Sequence, residues 1–287
     1  MKRLAQLLEL AQLTHVVDIG ANPIDGDPPY KKMLEAGVCK VTGFEPQAEA
    51  LAQLQARKGP YETYLPHVIG DGTERILNIC KASGMTSLLT PDQRTLSLFD
   101  VLRPLGEVID RITTSTIRLD DVVELTAFDM LKIDVQGAEL EIFQSGRLKL
   151  NNAVAIQTEV SFVTLYENQP SFGDIDLELR SQGFIPHSFP AIKKWPISPC
   201  VINGDPRQPL NQLLEADIVY IRDLSRVEHL SPDQIKQLAF IGHCCFGSLD
   251  LTMYCIRELQ NRGVLPGNAL DRYVELLQSQ TETTSGN

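Results

Sequence analysis

The sequence predicts an α/β protein whose core is a mostly parallel, seven-stranded sheet with helices on both faces. From residue 14 to about residue 222, short apolar runs alternate with helical patterns, which is typical of parallel sheets covered by helices. After residue 223 the pattern becomes helical only. We therefore expect a main domain at 1–223, a C-terminal helical appendage at 224–280 and a flexible polar tail at 281–287.

The elements are predicted from the period of the apolar residues and from the turn residues between them. The seven strands are predicted at 15–19, 40–44, 63–69, 127–133, 153–158, 184–189 and 217–221, the last two as an antiparallel pair. Helices are predicted at 30–36, 47–57, 137–143, 174–182, 234–244, 248–261 and 268–278. Two further strand-like runs, 75–80 and 109–117, flank an irregular stretch that we interpret as an insertion near the functional edge.

Composition and charge exclude several classes of function. The net charge is -11, and no run of Lys and Arg could follow a phosphate backbone, so nucleic acid is not an expected partner. No apolar stretch approaches the roughly 20 residues that span a bilayer, and the N-terminus shows no cleavage site, so a cytoplasmic protein is expected. The six cysteines and five histidines lack metal-ligand spacing, so no metal site is predicted.

Small and polar residues follow the first predicted strand, at the edge where open parallel sheets bind ligands. Asp18 can hold the charged end of a ligand, and Gly20 allows the ligand to approach the backbone. Ala21 keeps the turn small, and Asn22 tolerates a left-handed conformation. The segment from Val16 to Asn22 is thus predicted to begin a cofactor site.

Acidic residues also follow the second and third predicted strands. Glu45, followed by Pro46, can accept hydrogen bonds from both hydroxyls of an adenosine ribose. Asp71 and Gly72 form a turn whose carboxylate is predicted to face an adenine amino group. Three successive strand ends would then direct polar groups at one crevice.

The loop after Asn22 decides between two nucleotide cofactors. A nicotinamide dinucleotide shares the ribose-binding acid, but its site expects a Gly-x-Gly-x-x-Gly loop that admits a pyrophosphate. Here the loop is rich in proline and carries Asp25 and Asp27, which would repel a pyrophosphate. S-adenosylmethionine has a cationic sulfonium and no phosphate, so the charge of the loop favours S-adenosylmethionine.

With these motifs in view, the sequence resembles the FkbM family of S-adenosylmethionine-dependent methyltransferases over roughly residues 14–189. The most specific match is LKIDVQGAELE at 131–141, which is similar to the signature of the family's fourth strand. VDIGAN at 17–22, FEP at 44–46 and TIRLDD at 116–121 are similar to further family motifs. The proline-rich loop departs from the shorter entry that many members have. The resemblance implies a Rossmann-like class I methyltransferase fold and methylation of hydroxyl groups on sugars or natural products.

Transfer of a methyl group to an alcohol requires alignment of donor and acceptor and a base that removes the hydroxyl proton. Asp134, at the end of the fourth strand, is the first candidate base, and Glu139 lies one helical turn further on. Lys132 is predicted either to pair with Asp134, as a structural ion pair, or to orient an acceptor oxygen. Glu159, after the next strand, is a second candidate base or an acceptor of sugar hydroxyls.

The leading hypothesis is therefore O-methylation of a hydroxyl on a small molecule or glycan. The alternative, from another class, is a non-catalytic binding or scaffold module that keeps the methyltransferase fold while the C-terminal helices contact a partner. Those helices carry an apolar stripe that includes Leu249, Met253 and Ile256. Such a stripe is more often packed than free, but it is also compatible with a homodimer.

Overall fold

The computed structural model describes residues 1–22 and 26–284, and within them ten strands and ten α-helices. The strands are β1 (Thr14–Ile19), β2 (Cys39–Phe44), β3 (Glu62–Leu65), β4 (Val68–Gly70), β5 (Glu74–Cys80), β6 (Val108–Arg118), β7 (Met130–Ile133), β8 (Ala155–Ser161), β9 (Phe184–Trp195) and β10 (Gln212–Arg222). The helices are α1 (Lys2–Leu7), α2 (Lys31–Glu35), α3 (Ala48–Arg57), α4 (Gln93–Leu96), α5 (Glu139–Ser145), α6 (Arg147–Leu150), α7 (Phe172–Ser181), α8 (Pro232–Phe246), α9 (Leu249–Asn261) and α10 (Ala269–Thr284).

Seven of the strands form one sheet in the order β3-β2-β1-β7-β8-β10-β9. The pairs among β3, β2, β1, β7 and β8 are parallel, and β10 pairs antiparallel with both β8 and β9. This order confirms the predicted α/β fold of the class I methyltransferase type, with a mostly parallel seven-stranded sheet. It also brings the carboxyl ends of β1, β2, β7 and β8 to one edge.

The predicted third strand is wrong in one respect, because it divides into two strands that belong to different sheets. β3 pairs with β2 in the large sheet, whereas β4 pairs with β6 in a separate three-stranded sheet of order β4-β6-β5. Pro66 lies between them and has no amide proton to continue a ladder. The strands β5 and β6 pair antiparallel within the predicted insertion.

Both faces of the large sheet carry a hydrophobic core. On one face, alternate residues of the strands pack with α5 and α7, through residues such as Val17, Ile133, Ile142 and Leu179. On the other face, the neighbouring positions pack with α1, α2 and the C-terminal helices. This second core includes Val16, Met130, Ala155, Val219, Leu238, Ile256, Leu259 and Tyr273. The C-terminal helices thus share a core with the sheet.

The C-terminal helices begin and end near their predicted positions. Ser231 caps α8 in a capping box with Gln234, Pro232 occupies the first turn, and Gly247 ends the helix in a left-handed conformation. The described part of α10 includes residues 281–284, which lie in the predicted tail, while 285–287 lie outside the described residues. No helix in the described part of the chain is long and apolar enough to span a bilayer.

Candidate functional site

A cavity of about 460 Å³ opens at the carboxyl edge of the large sheet. Nine of the residues singled out from the sequence line it: Asp18, Gly20, Ala21, Asn22, Glu45, Pro46, Lys132, Asp134 and Glu159. We call the part around Asp18 and Glu45, at the ends of β1 and β2, the β1–β2 half. The part that contains Asp134 after β7, Glu159 of β8, Asp217 of β10 and Lys193 of β9 is called the β8–β10 half. β7 lies between the two halves.

A buried ion pair lies at the floor of the β1–β2 half. Asp18 is only 2% exposed; its Oδ2 accepts a 2.5 Å hydrogen bond from the Tyr30 hydroxyl, and Nζ of Lys132 lies 3.3 Å from its Oδ1. Burial raises the pKa of Asp18, whereas Lys132 and Tyr30 lower it. Lys132 also donates to the carbonyl oxygen of Gly20 at 3.2 Å. The predicted pairing of Lys132 with Asp134 is therefore wrong, because the parallel register places Lys132 directly beside Asp18.

Gly20 lies where the backbones of two strand ends meet. Its φ is +79°, and a Cβ at this position would lie 2.0 Å from the carbonyl oxygen of Asp134. Only glycine fits this approach, since any side chain would overlap that oxygen and strain the left-handed backbone. Glycine is therefore required here by the close approach of the Asp134 backbone. The absence of a side chain also keeps the adjacent cavity open.

Glu45 lies at the end of β2 and is 3% exposed. One carboxylate oxygen accepts a 2.8 Å hydrogen bond from the amide of Gln47. Burial raises the pKa of Glu45, and hydrogen bonds from the amides of Gln47 and Asn22 oppose this shift. The carboxylate is held firmly by backbone donors, yet it still lines the cavity.

The loop between β7 and α5 is fixed by side chains. Gln136 has a φ of +57°; its side-chain amide donates to Oδ1 of Asp134 at 2.7 Å, and its carbonyl oxygen accepts from Ser87 at 2.6 Å. Glu139 is 3% exposed and accepts from the amides of Val135, at 3.0 Å, and Gly137, at 3.2 Å. Burial raises the pKa of Glu139 to about 7.

The position of Glu139 contradicts its predicted role as a base. It does not line the cavity, and its carboxylate is turned into the loop. Both contacts are with backbone amides of the loop that precedes α5. Glu139 therefore stabilises the loop that carries Asp134.

Carboxylates dominate the β8–β10 half. Glu159 pairs with Asp217 across β8 and β10, and Asp134 follows the residue of β7 that pairs with Thr158, so the three lie at one level on adjacent strands. All three line the cavity, together with Lys193 of β9. Within the described residues, no three potential metal ligands are grouped in a way that could hold a metal ion.

Asp71 and Gly72 do not line the cavity, so their predicted contact with adenine is also wrong. Asp71 is exposed and binds Thr73 through both the amide and the hydroxyl group, and it forms an ion pair with Arg75. The cause is the break at Pro66, which moves the strand before Asp71 out of the large sheet. His67, Val68 and Ile69 line the cavity in that region.

Several residues in or beside the cavity were not singled out from the sequence. They are Tyr30, Ser83, Thr86, Ser87, Gln157, Lys193 and Asp217, of which all but Tyr30 line the cavity directly. The alternation of β10 could have placed Asp217 on the same face as Glu215. Pro23, Ile24 and Asp25, on which part of the argument against a dinucleotide depends, lie outside the described residues.

Comparison with protein families gives one match, to the methyltransferase FkbM domain, over residues 18–186. The chain belongs to this family. The matched segment covers more than half of the chain and includes Asp18, Glu45, Asp134 and Glu159. It contains both halves of the cavity except for β10 and most of β9. A comparison with curated proteins finds no match.

Solved structures similar to this FkbM-domain chain include methyltransferases. Magnesium protoporphyrin IX methyltransferase from Synechocystis PCC 6803, with bound S-adenosylmethionine, is 11% identical, with a TM-score of 0.39 over 77% of this chain and 76% of that one. Precorrin-6y C5,15-methyltransferase from Geobacter metallireducens is 14% identical, with a TM-score of 0.35 over 77% and 87% of the two chains. At these identities and TM-scores, the similar structures do not indicate what reaction this chain catalyses.

Membership in the FkbM family makes the chain an S-adenosylmethionine-dependent methyltransferase. The residues present fit this cofactor. Asp18 lines the cavity with a carboxylate already paired with Tyr30 and Lys132, and a carboxylate has lone pairs for further hydrogen bonds, such as those from an ammonium group. Glu45 offers a buried carboxylate at the end of the neighbouring strand, which suits the hydroxyls of a ribose.

Proposed function

We propose that this chain transfers a methyl group from S-adenosylmethionine to a hydroxyl of a sugar or secondary metabolite. The observation that carries the proposal is the row formed by Asp134, Glu159 and Asp217 in the β8–β10 half. An alcohol must lose its proton as the oxygen bonds to carbon, and a carboxylate at hydrogen-bond distance can accept it. Carboxylates also accept hydrogen bonds from other hydroxyls of the same substrate.

The β1–β2 half is proposed to hold the donor. Asp18 would bind the ammonium of its methionine part, Glu45 would accept from the ribose hydroxyls, and Gly20, Ala21 and Asn22 would provide backbone contacts. When bound, S-adenosylmethionine supplies an electrophilic methyl carbon on a sulfonium. Pro46 would line the ribose side.

Glu159 is our choice for the base, and Asp134 would orient the acceptor. Burial raises the pKa of Glu159 well above that of an ordinary carboxyl, and the neighbouring Asp134 and Glu215 raise it further. A base whose pKa approaches the working pH accepts a proton more readily than an ordinary carboxylate. Oδ1 of Asp134 is held by Gln136, which fixes the direction of that carboxylate.

The charge of the β8–β10 half supports a neutral, hydroxyl-rich acceptor. Asp134, Glu159, Glu215 and Asp217 stand against the single ammonium of Lys193, because Lys132 is engaged by Asp18. A phosphate or carboxylate group on the acceptor would be repelled there. Ser83, Thr86 and Ser87 also line the cavity.

The test combines donor binding with turnover. Calorimetry should show binding of S-adenosylmethionine and S-adenosylhomocysteine, and Glu45→Ala should weaken it by about 10- to 100-fold, because hydrogen bonds to a buried charged group are lost. Glu49→Ala, on the exposed surface of α3, is the matched control and should leave affinity unchanged. Methyl transfer should then be detected by mass spectrometry with a panel of sugars and hydroxylated metabolites.

Two results would contradict the proposal in different ways. Absence of donor binding would remove the assignment of the β1–β2 half. Donor binding without turnover on any hydroxylated acceptor would instead favour the scaffold alternative.

A further inference from the structure

Lys193 joins two carboxylates in the β8–β10 half. It lies on the edge strand β9, and its Nζ is 3.1 Å from Oε2 of Glu159 and 2.7 Å from Oε1 of Glu215. Its own side chain is 39% exposed, whereas Glu159 is buried. The only cation that contacts Glu159 among the described residues therefore comes from the outermost strand of the sheet.

Most groups that face Glu159 would oppose its negative charge. Asp134 and Glu139 approach from the β7–α5 side, and Glu215 and Asp217 from β10. Tyr166 lies on the segment that follows β8 and interacts with the same carboxylate. Burial itself is the largest cause of the raised pKa of Glu159, and among these neighbours Lys193 is the one that lowers it.

We propose that Lys193 is a positioning residue that keeps Glu159 available as a carboxylate directed at the acceptor. The inference rests on the proposed function, since it takes Glu159 as the base. Lys193 need not touch the substrate for this role. It acts through Glu159, and Glu215 competes for its ammonium group.

This arrangement makes opposite effects expected from the two neighbours of Glu159. Replacing Lys193 by Met removes an attractive charge, so the pKa of Glu159 should rise and the base should be lost at neutral pH. Replacing Glu215 by Gln removes a repulsive charge and leaves Lys193 to Glu159 alone, so the pKa of Glu159 should fall. Burial of Lys193 disfavours its charge, but Glu159 and Glu215 raise its pKa above the ordinary lysine value, so it stays charged throughout.

The kinetic test is the pH dependence of kcat/KM. In Lys193→Met the acid limb should move to higher pH by about one unit, with roughly tenfold lower activity on that limb and recovery at high pH. Lys193→Arg should restore the wild-type profile, and Glu215→Gln should move the limb to lower pH. Lys194→Met is the matched control, because Lys194 is exposed on the opposite face of β9. Donor affinity should be the same in all four variants.

A second readout does not depend on turnover. The Glu159 carboxyl can be titrated by carbon-13 NMR in the donor-bound protein and assigned by its loss in Glu159→Gln. Its pKa should rise in Lys193→Met and fall in Glu215→Gln. An unmoved pKa in both variants, or a uniform loss of kcat with an unmoved acid limb, would overturn the role of Lys193. If the pKa of Glu159 shifts as expected in the two variants but the wild-type protein transfers no methyl group, the proposed function is refuted and the Lys193–Glu159 coupling stands.

Discussion

The two halves of the cavity treat charge differently. In the β1–β2 half each buried charge has a partner within the protein: Asp18 has Tyr30 and Lys132, and Glu45 has a backbone amide. In the β8–β10 half carboxylates outnumber the single ammonium of Lys193. The first half is preorganised for one fixed ligand, while the second keeps unused capacity to accept hydrogen bonds and a proton. We therefore expect the β1–β2 half to be fixed by the donor, and the β8–β10 half to vary with the acceptor that is methylated.

The largest effect is expected from Glu159→Gln. Loss of the base should lower kcat by roughly 100- to 10,000-fold, while donor affinity measured by calorimetry stays at the wild-type value. Asp134→Asn, which removes a carboxylate from the same row, should reduce activity less. An Asp134→Asn variant that loses more activity than Glu159→Gln would reverse the assignment of the two residues.

A smaller effect, on stability and donor binding together, is expected from Lys132→Met. This substitution leaves the 2% exposed Asp18 without its counter-charge, and breaking a buried pair in this way costs about 3 kcal/mol. Urea denaturation should show the loss, and donor binding should weaken in parallel. Lys194→Met, on the surface, should change the free energy of unfolding by less than about 0.5 kcal/mol. If the two variants had equal free energies of unfolding, Lys132 would not be the required counter-charge of Asp18, and the β1–β2 half would not be preorganised as described.

The smallest effect is a change in pH dependence from Glu139→Gln, at the loop that joins the halves. The pKa of Glu139 rises from 4.5 to about 7 on folding, so the native state binds a proton that the unfolded state releases. The contribution of Glu139 to the free energy of unfolding is therefore fully present below pH 4.5. It decreases by on the order of 1 kcal/mol per pH unit as the pH rises to about 7.

In Glu139→Gln the side-chain oxygen can still accept from the amides of Val135 and Gly137, but it no longer titrates. Chemical denaturation at pH 5 and pH 7 should therefore show a smaller fall in stability for the variant than for wild type. An identical fall in both proteins would mean that Glu139 does not titrate in this window.

Local sequence patterns predicted the strand ends well. Asp18, Glu45, Asp134 and Glu159 each follow an apolar run, and since parallel strands share an edge, the sequence alone could bring them to one cavity. Their roles in the reaction stay predictions. The same reasoning failed at Asp71, because it treated residues 63–69 as one strand despite Pro66.

Contacts between side chains on different strands could not be predicted from local sequence patterns. Lys132 could be placed on the correct strand, but its pairing with Asp18 depends on the register of β1 against β7. Lys193 reaches Glu159 only because β10 pairs antiparallel with both β8 and β9, which brings together residues far apart in the sequence. No short-range periodicity encodes such a contact.

The shared core under the C-terminal helices also limits how the chain can be divided. The segment matched to the family ends at residue 186, before β10 and before the helices that cover Val16, Met130 and Ala155. A protein trimmed to that segment would lose β10 and most of β9 and would expose one apolar side of its sheet to water. Anyone who transplants this framework, or recombines it with a relative, should therefore exchange the sheet, α1 and the helices α8 to α10 as one piece.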